Sequence, residues 1–211
     1  MEVDKILSVL AKERPVFHSE ADFQHAFAWE IHQSLPNALV RLERPIQVNG
    51  ELLYIDVWIA YQGAIIAIEL KYKTRRLAVQ VDDEQYSLRD QSAQDIGRYD
   101  FIKDIQRLEQ VAAANQNITG YAVLLTNDSA YWKPNYGTVD ADFRLHDGRI
   151  LRGVLAWGAG ASEGTKKNRE QPLELQGEYQ LKWSDYSFIE SVPYGKFRSL
   201  VVKVKPTAKA G

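Results

Sequence analysis

The chain has 211 residues, 45% of them hydrophobic and 26% charged, with a formal net charge of −2 and no cysteine. That size supports one substantial core, and the charge gives no global positive field to draw in nucleic acid. The lack of cysteine excludes disulfides, thiolate metal sites and a cysteine nucleophile.

The start, Met1-Glu2-Val3-Asp4-Lys5, lacks the basic and apolar pattern of a signal peptide, and no apolar run approaches the ~20 residues that cross a bilayer. The expectation is a cytoplasmic protein with no membrane partner. Residues 19–35 read as a helix: Ser19 caps it, Asp22 sits at the capping-box position, and Phe23, Phe27 and Ile31 recur at i, i+4 and i+8. A strand is expected over 38–48. Asn49-Gly50 is a strong hairpin signal into a second strand over 51–61, and Gln62-Gly63 turns the chain into a third over 64–73. Residues 74–90 read as a polar connection. A long helix is expected over 91–115, on a stripe of Phe101, Ile105, Leu108 and Ala112, and then a buried strand over 120–126.

The remainder is less regular. A hairpin is expected around Asp147-Gly148, with strand-like pieces at 179–183 and 199–205. Residues 158–171, rich in Gly, Ser, Lys and Asn, read as a mobile loop. The fold class is therefore α/β with a mixed sheet: a core over 1–128, a β-rich appendage over 129–205 and a disordered tail over 206–211.

Two of these strands carry charge where none is expected. Leu53 to Ile59 is apolar apart from Asp56, and Ala64 to Leu70 is apolar apart from Glu69, with Lys71 next. A lone carboxylate in a strand buried on both faces costs several kcal/mol (order of magnitude) unless it is compensated. By pleat parity Ile65, Ala67, Glu69, Lys71 and Lys73 share one face. Asp56 lies seven residues before Gly63 and Glu69 six after it, so the two carboxylates stand nearly opposite across the pair. Two carboxylates so placed suit one hard divalent cation. Glu30 falls inside the apolar stripe of the first helix, within about 20° of Phe23, and is expected to reach the cation or its water. Gln94 and Arg98 continue the stripe of the long helix inward, as a phosphate contact near its N-terminus.

Glu30 on a helix, Ile55-Asp56 on the second strand and Glu69-Leu70-Lys71 on the third resemble the PD-(D/E)XK nuclease superfamily, the restriction-endonuclease-like fold. The element order α-β-β-β-α-β over residues 19–126 is similar to that family's core. The resemblance implies a phosphodiester hydrolase dependent on Mg2+ or Mn2+. The metal would be held by Asp56, Glu69, the Leu70 carbonyl and Glu30, with Lys71 positioning the attacking water. It implies nucleic acid as partner, DNA favoured over RNA, and by analogy a homodimer. Ile55 stands where that family often has proline, and Gln94 and Tyr99 are five apart rather than four, so no sub-family is implied.

Lys73, Arg75 and Arg76 leave the third strand beside the site and are read as nucleic-acid contacts. Lys166-Lys167-Asn168-Arg169 reads as a solubilising loop, and the glycines before it fit no phosphate-binding motif. Asp100, Lys103, Asp104 and Arg107 read as pairs on the exposed side of the long helix. The competing reading makes Glu69 and Lys71 a solvated stripe, with Asp56 satisfied by backbone donors, in a non-catalytic module that binds nucleic acid or protein.

Overall fold

The computed structural model describes residues 2–206. It begins with a helix not foreseen above, α1 (Val3–Glu13), which buries Val3, Ile6, Leu7 and Leu10 at helical spacing. The second helix, α2 (Glu20–Ser34), has the expected cap, Ser19 accepting the Asp22 N–H. Three antiparallel strands follow, β1 (Leu39–Val48), β2 (Glu51–Tyr61) and β3 (Ala64–Lys73). Both turns between them place their two central residues at positive φ, Asn49-Gly50 and Gln62-Gly63, as tight hairpins with type I′ turns require.

The segment expected as a polar connection is instead a hairpin, β4 (Leu77–Val81) and β5 (Glu84–Leu88). Its alternating Leu77, Val79, Val81, Tyr86 and Leu88 lie against the α1–α2 side of the core. The long helix α3 (Gln94–Ala114) then crosses to β6 (Ile118–Thr126), which pairs with β3 in parallel. The order α-β-β-β-α-β is present, with α1 ahead of it and the small hairpin inserted.

Beyond β6 the chain forms a 3-10 turn (Ala141–Phe143), β7 (Ile150–Leu155), the short α4 (Glu163–Lys166), β8 (Leu173–Gln180), β9 (Trp183–Phe188) and β10 (Lys196–Val204). Asp147-Gly148 makes a turn but no hairpin, because β7 pairs with β8 instead. The strand expected over 179–183 straddles the junction of β8 and β9. Residues 129–205 are not set apart from the sheet. Its order is β1-β2-β3-β6-β10-β9, so the last two strands complete it. Residues 207–211 of the expected tail lie outside the described residues. The fold is mixed α/β, and no helix among the described residues is long and apolar enough to cross a membrane.

Helices α1 and α2 cover one face of the sheet over Val57, Ile59, Ile68, Leu70, Val123 and Leu125. Helix α3 covers the other, with Ala67, Ala122, Leu124, Leu200 and the β7–β8 hairpin. A tight approach of α3 to the sheet is at Gly120, where a Cβ would stand 2.9 Å from Leu108 Cβ and 3.2 Å from Val204 Cβ. Gly120→Ala is therefore expected to push α3 off the sheet and destabilise the chain by about 1–3 kcal/mol, read from the urea unfolding midpoint.

Candidate active site

The β2–β3 ladder runs from Tyr61↔Ala64 to Val57↔Ile68 and stops there. One further step of this register sets Asp56 opposite Glu69, as the turn position implied. The β1–β2 ladder is broken at the same level: Leu42↔Val57 and Arg44↔Ile55 pair, but Glu43 and Asp56 do not, and Glu43 has φ +48°. On the turn side of this break Ile46, Val48, Leu53 and Ile55 belong to the α3 face, while on the other side Val40, Leu42, Val57 and Ile59 belong to the α2 face. Both strands thus turn over together, and the hairpin end swings from β3 towards α3. Gln24 of α2 clamps the break, its Nε2 donating to Glu43 at 2.7 Å and to the Asp56 carbonyl at 2.8 Å.

This departure leaves β3 amides without strand partners, and carboxylates take them. Asp56 Oδ2 accepts the Leu70 N–H at 2.7 Å, and Glu20 Oε2 accepts the Tyr72 N–H at 2.7 Å. The Asp56 part of the competing reading is therefore present. Its other half is not, because Glu69 is only 2% exposed and Lys71 is mostly buried. Lys71 Nζ lies 2.8 Å from Asp104 Oδ2 and 3.4 Å from the Leu70 carbonyl. Since N–H and C=O of one strand residue point to the same side, that carbonyl opens on the gap left by β2.

Asp104 and Arg107 face inward, not outward as their pairing along the helix suggested. Asp104 is buried, and Arg107 reaches Glu69 Oε1 at 3.2 Å, Asp104 Oδ1 at 3.3 Å and the Tyr54 carbonyl at 2.7 Å. Asp104 stands about 60° from Phe101 on the helical wheel, beyond the stripe drawn through the apolar residues. The buried Val111 extends the inward face on that side. Glu20, at the first residue of α2, reads in the sequence as an ordinary N-terminal acid.

Other expected residues lie elsewhere. Glu30 is buried, as its place on the wheel required, but it accepts from Ser34 Oγ on its own helix at 2.7 Å. Gln24, six residues earlier and so about 9 Å along the axis, is the α2 residue at the gap. Arg98 is committed to Asp140 and to the Ala130 carbonyl, and Gln94 donates to Asp128 at 2.8 Å. Both therefore anchor the segment after β6. Arg75 pairs with Asp90 at 3.1 Å and lies over the Tyr194 ring. Lys73 and the exposed Arg76 have no ion-pair partner among the described residues. The loop expected to be mobile is pinned by Arg169, whose guanidinium meets Asp100 at 2.8 and 3.0 Å.

Burial pushes the Glu69 carboxyl up to about 9, with the negative charges of Asp104 and Asp56 adding to the shift and Arg107 and Lys71 opposing it. Burial alone would lower Lys71, but Asp104 and Asp56 outweigh it and hold the ammonium charged. Glu69 Oε1 and Asp104 Oδ2 are fully buried without an aligned hydrogen bond; their cations approach by distance alone. Among the described residues no group of three or more His, Cys, Asp or Glu stands at metal-binding spacing. Magnesium needs only one or two carboxylates, with waters and substrate oxygens filling its other positions. Asp56 Oδ1, Glu69 Oε1 and the Leu70 carbonyl, all hard oxygen donors at one gap, fit it. Comparison with protein families, with curated proteins and with solved structures finds no match for this chain.

The Glu69 shift has a thermodynamic consequence. From about pH 4.5, its ordinary value, to about 9 the folded chain holds a proton that the unfolded chain has released, so stability falls as pH rises through that window. Without divalent cation, the Tm of the wild type is expected to fall more steeply from pH 5.5 to 8.5 than that of Glu69→Gln. By pH 8.5 the variant leads by at least about 1 kcal/mol, roughly 2–4 °C. Parallel melting curves across the window would count against the buried carboxyl as the cause.

Proposed function

We propose that this chain is a divalent-cation-dependent nuclease that hydrolyses phosphodiester bonds, with DNA the preferred substrate and Asp56, Glu69 and Lys71 the reacting groups. One observation carries the reading. Two carboxylates, a backbone carbonyl and a charged ammonium meet where β2 leaves β3, at the first step that the register would continue and the ladder does not make. Asp56, Glu69 and the Leu70 carbonyl would hold Mg2+ or Mn2+. Such an ion, when bound, polarises a phosphate oxygen and makes a bound water more acidic.

The side chains supply the rest. Asp104 fixes the Lys71 ammonium on the α3 side, where it orients a water by hydrogen bonding and stabilises negative charge as it develops on phosphate. Asp56 holds the Leu70 N–H with one oxygen and, among the described residues, has no hydrogen-bond or ion-pair partner on the other. That bond fixes the Leu70 backbone, and with it the carbonyl beside the gap. Lys73, on the same face as Lys71, and Arg76 are uncommitted cations able to take phosphates flanking the scissile one. Glu30, Gln94 and Arg98 have no part in this proposal.

A second reading is favoured by one specific observation: Lys71, Glu69 and Asp104 each already have a protein counter-ion. A closed ion network of this kind also suits a non-catalytic module that binds nucleic acid or protein.

Asp56→Asn separates the two, because an amide oxygen still accepts the Leu70 N–H while the charge is removed. With Mg2+ or Mn2+, the wild type is expected to cut supercoiled and linear DNA, and Asp56→Asn to lose about 100-fold or more in rate with its Tm little changed. Lys71→Ala is the poorer test, since it strands the buried Asp104 carboxylate. Wild type inert on DNA and RNA with either ion would leave the binding module as the better reading.

A further inference from the structure

Arg107 occupies the side of the gap facing α3. Its guanidinium spans from Glu69 on β3 to the Tyr54 carbonyl on β2 and to Asp104 on its own helix. These contacts bridge the two strands just beyond the end of their ladder. We infer that Arg107 is the resident counter-cation of the Asp56–Glu69 site, and that a divalent cation enters by displacing its guanidinium from Glu69. The inference rests on the reading of Asp56 and Glu69 as cation ligands.

With Glu69 ionised, charge balance favours such an exchange. Asp56, Glu69 and Asp104 bring three carboxylates, and Lys71 and Arg107 two cations, so the fully ionised site carries one negative charge. A divalent ion added beside both basic side chains would leave a buried excess of positive charge, which is strongly disfavoured. Lys71 cannot yield, being held by Asp104 and required by the reaction. Arg107 can. Its side chain is 24% exposed against 2% for Glu69, so a rotation carries its head into water while the aliphatic stem stays packed. Its hold on Glu69 is also the least aligned of its contacts, an ion pair at 3.2 Å without a directed hydrogen bond. The bond to the Tyr54 carbonyl would be lost with it, so cation entry also frees the turned-over end of the β1–β2 hairpin from α3.

The test is Mn2+ binding, read from the free-ion electron paramagnetic resonance signal on the full chain, for wild type, Arg107→Met, Arg107→Lys and Glu69→Gln. Arg107→Met is expected to bind Mn2+ roughly tenfold tighter or better, Arg107→Lys to fall between it and wild type, and Glu69→Gln to bind more weakly than wild type. Equal or weaker binding by Arg107→Met, with wild type binding normally, overturns the exchange and makes Arg107 a brace of β2 alone; the proposed nuclease reading survives that result. Failure of both wild type and Arg107→Met to bind Mn2+ overturns the cation site itself, and the nuclease reading with it. Should Arg107→Met fail to fold, the Arg107 guanidinium resonances of the wild type, assigned by their loss in Arg107→Lys, take its place. Under Mg2+ they should move to the position of a solvent-exposed arginine, and an unmoved signal at saturating Mg2+ overturns the exchange.

Discussion

The site depends on the end of one ladder. After Val57↔Ile68 the β2 strand no longer pairs with β3, and a sheet cannot leave amides there unpaired without a cost of about 1–3 kcal/mol each. Asp56 and Glu20 meet that requirement by accepting from Leu70 and Tyr72. The carboxylate that looks anomalous in an apolar strand therefore has a structural duty before any chemical one. That duty uses one of its two oxygens. The bond from Oδ2 to Leu70 leaves Oδ1 available, and the departure of β2 leaves the Leu70 carbonyl without a strand partner, so that it faces Lys71 Nζ at 3.4 Å instead.

Stability alone does not account for what lies beneath. Glu69, Lys71, Asp104 and Arg107 form a mostly buried network, and removing such groups from water costs several kcal/mol per ion, only partly recovered by pairing. An apolar set of equal volume would serve the core at least as well. Burial sharpens this by pushing Glu69 up to about 9, so that at neutral pH the folded chain favours the protonated carboxyl although Arg107 lies 3.2 Å away. A carboxyl shifted this far by burial and neighbouring charge is a candidate functional group on physical grounds.

Much of this was legible in the sequence because it follows from period and turn chemistry. The Asn49-Gly50 and Gln62-Gly63 turns set the register that brings Asp56 level with Glu69, and strict alternation in β3 puts Glu69 and Lys71 on one face. The β4–β5 hairpin was equally present, as alternation of Leu77, Val79 and Val81, but the acidic turn between its strands masked it. Glu30 was misplaced for another reason. A helical wheel gives the azimuth of a residue and not its height, and Glu30 faces inward at the wrong level. Asp104 and Arg107 were hidden because hydrophobicity alone defines a stripe, while α3 is covered more broadly, by the sheet and by β7–β8 together. The association of β9 and β10 with β6 is a long-range pairing that no local pattern encodes.

The second half of the chain consequently bears on the site through α3. Arg98 is held by Asp140 and the Ala130 carbonyl, Asp100 by Arg169, and Glu109 by the amides of Gln176 and Gly177 and the hydroxyl of Tyr179. Each of these polar anchors comes from residues 128–180, and each fixes the rotation of α3 about its own axis. That rotation decides whether Asp104 and Arg107 meet Lys71 and Glu69. A side chain that must hold an ammonium within hydrogen-bond reach tolerates little error, of order 0.5 Å. A helix packed by apolar contacts alone would slide and roll more freely than one pinned at three polar points. The segment after β6 therefore bears on the gap between β2 and β3 indirectly, by setting the angle from which α3 presents its two charged residues there.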